Sequence, residues 1–204
     1  MTTLTALALT CSLKPSPAPS SSALIADQVL AEFHKRGVKG DNIRLVDFDI
    51  RPGVETDMGH GDQWPQIRSR IMAADILLVS TPTWLGQMSS VAKRALERLD
   101  AELSETDDRG RPTMFGKTAA VSVVGNEDGA HSIVASMFQA LNDCGFTIPA
   151  QGCTYWNGEA MTPGDYNDLD SVPEAVATAN ATLGRNAVHL ARLLREQSYP
   201  VTDS

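Results

Sequence analysis

Aromatic residues are scarce in this 204-residue chain, at 5%, and cysteine is scarcer still, with only Cys11, Cys144 and Cys153. An odd set of cysteines without paired metal-ligand spacing argues against a disulfide framework and against a cysteine-ligated zinc site. Cations are also in short supply. The 17 Lys and Arg stand against 25 Asp and Glu, a net charge of -8, so a nucleic-acid partner held by clustered positive charge is not expected. The amino-terminal MTTLTALALTCSL has no positive charge ahead of its apolar stretch, and the stretch is too short to span a bilayer. A cytoplasmic location without a membrane partner is the expectation.

Missing motifs narrow the chemistry further. No G-x-x-x-x-G-K-[ST] triphosphate loop, no strand followed by G-x-G-x-x-G, and no G-x-S-x-G nucleophile elbow is present. A receiver domain would need acidic residues at the ends of the first and third strands, where this chain has Cys11, Ser12 and Thr81. The four histidines are dispersed, and Asp57, His60 and Asp62 in DMGHGD read as a polar glycine-containing loop in preference to a metal site.

The chain does have the makings of one α/β domain over residues 1–204, with 42% hydrophobic and 21% charged residues. The apolar run Thr3 to Thr10 predicts a buried strand, and Leu24, Ile25, Val29, Leu30 and Phe33 recur at helical spacing within Ser20 to Lys35. Asn42 to Phe48 predicts a second strand, and Pro65 to Ala73 a helix. DILLVST, Asp75 to Thr81, is apolar almost throughout, as a strand covered on both faces must be. A loop from Pro82 to Gln87, a helix from Met88 to Ala101, a strand from Lys117 to Gly125 and a helix from Ser132 to Cys144 continue the alternation. Phe146 to Pro149 reads as the last strand, the stretch 151–171 as irregular, and Pro173 to Gln197 as the final helix. Parallel neighbours joined by helical crossovers imply a doubly wound sheet with helices on both faces.

Ligands of such sheets bind beyond the carboxyl ends of the strands. After the first strand, Ser12, Lys14, Ser16, Ser20, Ser21 and Ser22 gather before a helix amino terminus, whose unpaired N–H groups favour an anion, and a phosphate suits them. The same serines would equally serve as helix caps in a plain loop. After the third strand comes STPTWLGQMSSVAKRALERLD, Ser80 to Asp100, with Pro82, Thr83, Trp84, Leu85, Gly86, Gln87 and Met88 in an unbroken run. An aromatic ring with neighbouring backbone N–H groups can flank a flat heterocycle, and Gly86 permits close approach. After the fourth strand, VVGNEDGAHS supplies Gly125, Asn126, Glu127, Asp128, Gly129 and His131. Glu127 and Asp128 can also favour the positive end of the next helix, so neither is assigned to proton transfer.

These three loops, with CSLKPSPAPSSSALI and GCTYWNGEA (Gly152 to Ala160), resemble the flavin loops of flavodoxin-like NAD(P)H-dependent FMN and quinone reductases. The resemblance runs over most of residues 3–195. Two departures mark it: the T-x-T-G-x-T string of carrier flavodoxins is missing, and Trp84 stands where many reductases have Tyr. It implies a three-layer sandwich around a five-stranded parallel sheet of order 2-1-3-4-5. It also implies FMN as cofactor held by the three loops, and NAD(P)H as co-substrate. Electrons would pass from the flavin to a quinone or similar small acceptor, with Trp84, Tyr155 and the 49–62 loop bordering the open face and no catalytic side chain. A homodimer or homotetramer is implied as well. An FMN-binding electron carrier or redox sensor without nicotinamide turnover is the alternative.

Overall fold

The computed structural model describes residues 3–160 and 162–200. The first two residues of the amino-terminal stretch and both ends of the expected 1–204 domain lie outside the described residues. Five helices, α1 (Ser21–His34), α2 (Trp64–Ala73), α3 (Ser90–Leu99), α4 (Ala130–Asp143) and α5 (Glu174–Glu196), alternate with strands β1 (Thr5–Thr10), β2 (Lys39–Arg44), β3 (Ile76–Trp84), β4 (Gln87–Met88), β5 (Thr118–Gly125) and β6 (Cys153–Asn157). The parallel strands lie in the order β2-β1-β3-β5-β6, and β4 pairs antiparallel with the end of β3. Setting β4 aside, this is the 2-1-3-4-5 order of a flavodoxin-like sheet.

Alternation along each strand divides the core in two. Leu7, Leu9, Leu77, Val79, Val121 and Val123 pack on one face with residues of α2, α3 and α4. Ala6, Ala8, Ile76, Leu78 and Ala120 face the other way, onto α1 and α5 through Val29, Phe33, Leu183 and Val188. Leu78 is fully buried, and each aliphatic side chain so removed from water contributes about 1.5–3 kcal/mol. Helix α1 starts where Ser20 accepts a hydrogen bond from the Ala23 N–H, and α3 where Ser89 accepts one from Ala92, both ordinary hydroxyl caps.

Three expected elements differ. The second strand ends at Arg44, and Leu45–Asp47 coil into a 3-10 turn. That turn buries Leu45 and frees Arg44 and Asp47 to hold the first loop. The expected loop at Pro82 to Gln87 is a hairpin instead: β3 runs on to Trp84, turns at Leu85 and Gly86, and returns as β4, which makes six strands where five were expected. The last strand is Cys153–Asn157, inside the stretch read as irregular, whereas Phe146 to Pro149 makes only the bridge Thr147 to Thr118. Pro149 has no N–H to give the ladder, and the turn at Ala150 and Gln151 interrupts the edge lane before it resumes.

Candidate active site

A cleft opens over the carboxyl ends of β1, β3 and β5. Its walls are the first loop (Ser12, Leu13, Lys14, Pro19, Ser20, Ser21 and Ser22), the end of β3 (Pro82, Thr83 and Trp84), the end of β5 (Val124, Gly125 and Asn126), and Trp156 with Asp165, Tyr166 and Asn167. The three loops read from the sequence therefore meet at one place.

The first loop is held in shape from the β2 side. Asp47 accepts hydrogen bonds from the Ser16 N–H at 2.8 Å and from its hydroxyl at 2.6 Å, and Arg44 donates to the Lys14 and Ala18 carbonyls at 3.1 and 2.7 Å. Burial alone would push the Asp47 carboxyl up, but the two bonds from Ser16 and the nearby Arg44 hold it below the usual range. Ser12 accepts from the Lys14 N–H at 3.0 Å. The Ser20 and Ser22 hydroxyls lie 3.1 Å apart at the start of α1. By helix geometry the Ser21 and Ser22 N–H groups have no carbonyl one turn back, and with the helix dipole they make the entrance of α1 suited to an anion.

The second and third loops are tied together. The Ser89 hydroxyl, fully buried, donates to the Cys11 carbonyl at 2.7 Å, and the Ser89 N–H donates to Thr81 Oγ1 at 3.1 Å, so α3, β3 and the first loop share one knot. Glu127 accepts from the Leu85 N–H at 2.7 Å across the hairpin tip. Gly125 and Gly129 allow this closeness: a Cβ on Gly125 would meet the Thr83 Cβ at 2.8 Å, and one on Gly129 (φ +117°) would meet the Gly86 backbone at 2.8 Å.

Several residues read as cofactor contacts thus have a different placement. Leu85, Gly86, Gln87 and Met88 form the hairpin beyond the cleft wall, while Glu127 and Gly129 brace it; none of these six, nor Asp128 or His131, lines the cleft. Tyr155 points to the α4 face, where its hydroxyl lies 3.1 Å from His131 Nε2 and the two rings meet edge to face. Its neighbour Trp156 lines the cleft instead, because successive strand residues face opposite ways. The 49–62 loop contributes no lining residue. In that loop Asp62 is committed to Arg98, with which it forms a fully buried ion pair at 2.8 Å.

The residues missed from sequence are Leu13, Pro19, Val124, Trp156, Asp165, Tyr166 and Asn167. Strand alternation across TYWN would have singled out Trp156; nothing in the aperiodic stretch around Asp165 marks it. The cysteines offer no nucleophile here: burial pushes the Cys11 thiol far up and Cys144 up to about 11.

Among the described residues, one buried side-chain polar atom of the cleft lacks a partner. Thr83 is 4% exposed and its hydroxyl makes no hydrogen bond. A buried hydroxyl left unpaired is costly unless something else meets it. An orphaned donor on a strand end, a helix entrance lined with hydroxyls, a lysine at its mouth and two indole rings fit a phosphorylated flat heterocycle such as FMN.

Fold and site together define a flavin-binding protein of the flavodoxin-like class. Residues 4–160 match the family model of NADPH-dependent FMN reductases, and the chain belongs to that family of flavin oxidoreductases. It is also similar to the 8-demethyl-8-aminoriboflavin-5'-phosphate synthase of Streptomyces davaonensis, at 29% identity over 96% of this chain and 80% of the synthase. The crystal structure of RosB with bound 8-demethyl-8-formylriboflavin-5'-phosphate superposes with a TM-score of 0.87 at 29% identity, covering 96% of this chain and 82% of RosB. A divalent metal cation transporter, MntH of Mycobacterium bovis, is 36% identical over 94% of this chain, but the chain spans only 29% of the transporter. Among the described residues no helix is long and apolar enough to cross a membrane.

Proposed function

We propose that the chain is an FMN-dependent reductase that oxidises NAD(P)H and passes electrons to a quinone or similar small acceptor. The observation that carries this reading is the convergence of the three loops on Thr83, whose buried hydroxyl awaits a partner. When bound, FMN supplies hydride acceptance from the nicotinamide and two-electron delivery to the acceptor. The chain's own residues position and screen it. Ser20, Ser21, Ser22, Ser12 and Lys14 hold the phosphate; Thr83 donates to a polar atom of the ring system; Trp84 and Trp156 flank it and exclude water. Pro82, Gly125 and Asn126 shape the wall, and the braced hairpin from Leu85 to Met88, with Glu127, Asp128, Gly129 and His131, fixes the second and third loops against each other. The half-exposed Trp84 and the exposed Leu85 leave an apolar rim on which a second copy could close a cytoplasmic homodimer or homotetramer.

The test is anaerobic mixing of the FMN-loaded protein with NADPH and, separately, NADH. Bleaching of the flavin absorbance within one turnover, followed by reoxidation with a quinone, is the expected result. A flavin that stays yellow would identify a carrier or sensor and reject the reductase.

A second reading is favoured by one finding, the similarity to the synthase and to RosB over 96% of the chain. On that reading FMN is a substrate altered at its ring, and the mass of the flavin recovered after turnover separates the two.

A further inference from the structure

The family match ends at residue 160, yet the cleft has a wall beyond that point. Asp165, Tyr166 and Asn167 line it. They belong to a 3-10 turn, Tyr166–Asp168, that is fastened at both ends of its small span. A reciprocal cap joins Asp165 and Asp168, each side chain accepting from the other's backbone N–H. Tyr166 is 2% exposed; its hydroxyl donates to Gln28 of α1 at 2.7 Å, and its ring packs at 5.4 Å against Trp156. With Ile25, Val124 and Val176 these rings make a separate small core. A turn fastened in this way brings a residue bearing a carboxylate, Asp165, and one bearing a carboxamide, Asn167, to the cleft wall.

We infer that Asp165 and Asn167 are specificity-determining residues that read the hydroxylated side chain of the ligand, the polyol between ring and phosphate. This rests on the reading of the cleft as a flavin site. The chemistry decides which part of the ligand they meet. A carboxylate repels a phosphate, and that group already has a cation and a helix entrance of its own at Lys14 and the start of α1. Neither residue offers an apolar plane for the ring, which has Trp84 and Trp156. Vicinal hydroxyls are what remains: each donates to an oxygen of Asp165 or Asn167, and the carboxamide N–H donates back. The turn's backbone is already fixed, so little of its conformational freedom is lost when those bonds form.

The experiment compares three flavins on the full chain: FMN, riboflavin, and lumiflavin, which has no polyol. Asn167→Ala and Asp165→Asn are the variants. The second keeps a side-chain oxygen for the Asp168 N–H, so the cap survives. Dissociation constants are read from flavin fluorescence. Each variant should weaken riboflavin and FMN on the order of tenfold, as a lost hydrogen bond does, while lumiflavin changes less than twofold. If wild-type protein binds all three and the variants shift all three equally, or none, the polyol assignment is overturned and the flavin site stands. If wild type binds no flavin, both fall together.

Discussion

At the residue scale, Thr83 separates stability from binding. Its hydroxyl is buried and unpaired, so Thr83→Val removes a desolvated donor without removing a bond. Valine has nearly the same shape, and the free protein should gain up to about 1 kcal/mol in denaturant unfolding. Flavin affinity should fall by about tenfold or more for the same change, because the bound state loses the partner. A loss of both stability and affinity would show that the hydroxyl has a protein partner after all. Ser20 and Ser22 behave differently. Ser20 caps α1, so changing both to Ala should cost about 1 kcal/mol of stability and weaken FMN more than riboflavin. Equal weakening of the two ligands would move the phosphate elsewhere. Serines before a helix were legible as caps, and Ser20 is one. The orphaned Thr83 could not be read that way, since its isolation depends on how closely Gly125 lets β5 approach.

Elements were legible where burial is two-sided and obscure at the sheet's edges. β3 and β5 are buried on both faces and their runs in the sequence mark them, although β3 continues past its run to Trp84. β2 is an edge strand with four of its six residues polar or charged, KGDNIR, so the apolar Leu45 and Val46 drew the reading too far along. At the opposite edge Phe146, Ile148 and Pro149 carried the apolar signal, whereas CTYWN, the real strand, is short and half-exposed. The hairpin after β3 was hidden for another reason: Leu85 and Gly86 both take positive φ, 52° and 69°, and a leucine there does not announce a turn as Asn-Gly would. What holds that turn is Glu127. The Leu85 N–H is met by that carboxylate, so Glu127→Ala should speed hydrogen exchange of the Leu85 amide, and Glu127→Gln, which retains an acceptor, should speed it less. Exchange unchanged in both variants would remove the brace between the second and third loops. Stability should move by less than about 1 kcal/mol, because the tip is open to water.

The molecule as a whole carries an acidic charge, and part of its stability is held by carboxylates that folding makes stronger acids. Burial pushes Asp62 upward, but N–H groups of Met58, Trp64 and Arg51 and the guanidinium of Arg98 outweigh it and hold the carboxyl below its usual range. Lys35 and Arg36 do the same for Glu32, and Arg111 holds Asp107 at about 2. A carboxyl whose pKa is lower folded than unfolded binds fewer protons in the native state. Its contribution is complete above the unfolded value and is lost as pH falls through the folded one. Thermal stability should therefore be flat from neutral pH to about 5 and decline progressively toward about 2. Asp62 tests the account because its partner has nowhere else to go: Arg98 is itself fully buried and also donates to the Glu55 and Arg51 carbonyls while lying over the Trp64 ring. Asp62→Asn leaves that guanidinium uncompensated and should cost about 3–5 kcal/mol at neutral pH. Below pH 5 the variant has one fewer depressed carboxyl to titrate, so its stability should fall less steeply with pH than that of the unchanged protein. Parallel acid limbs for the two proteins would mean that Asp62 titrates alike folded and unfolded, and that the clamp between the 49–62 loop and α3 depends on packing around Arg98 and not on charge.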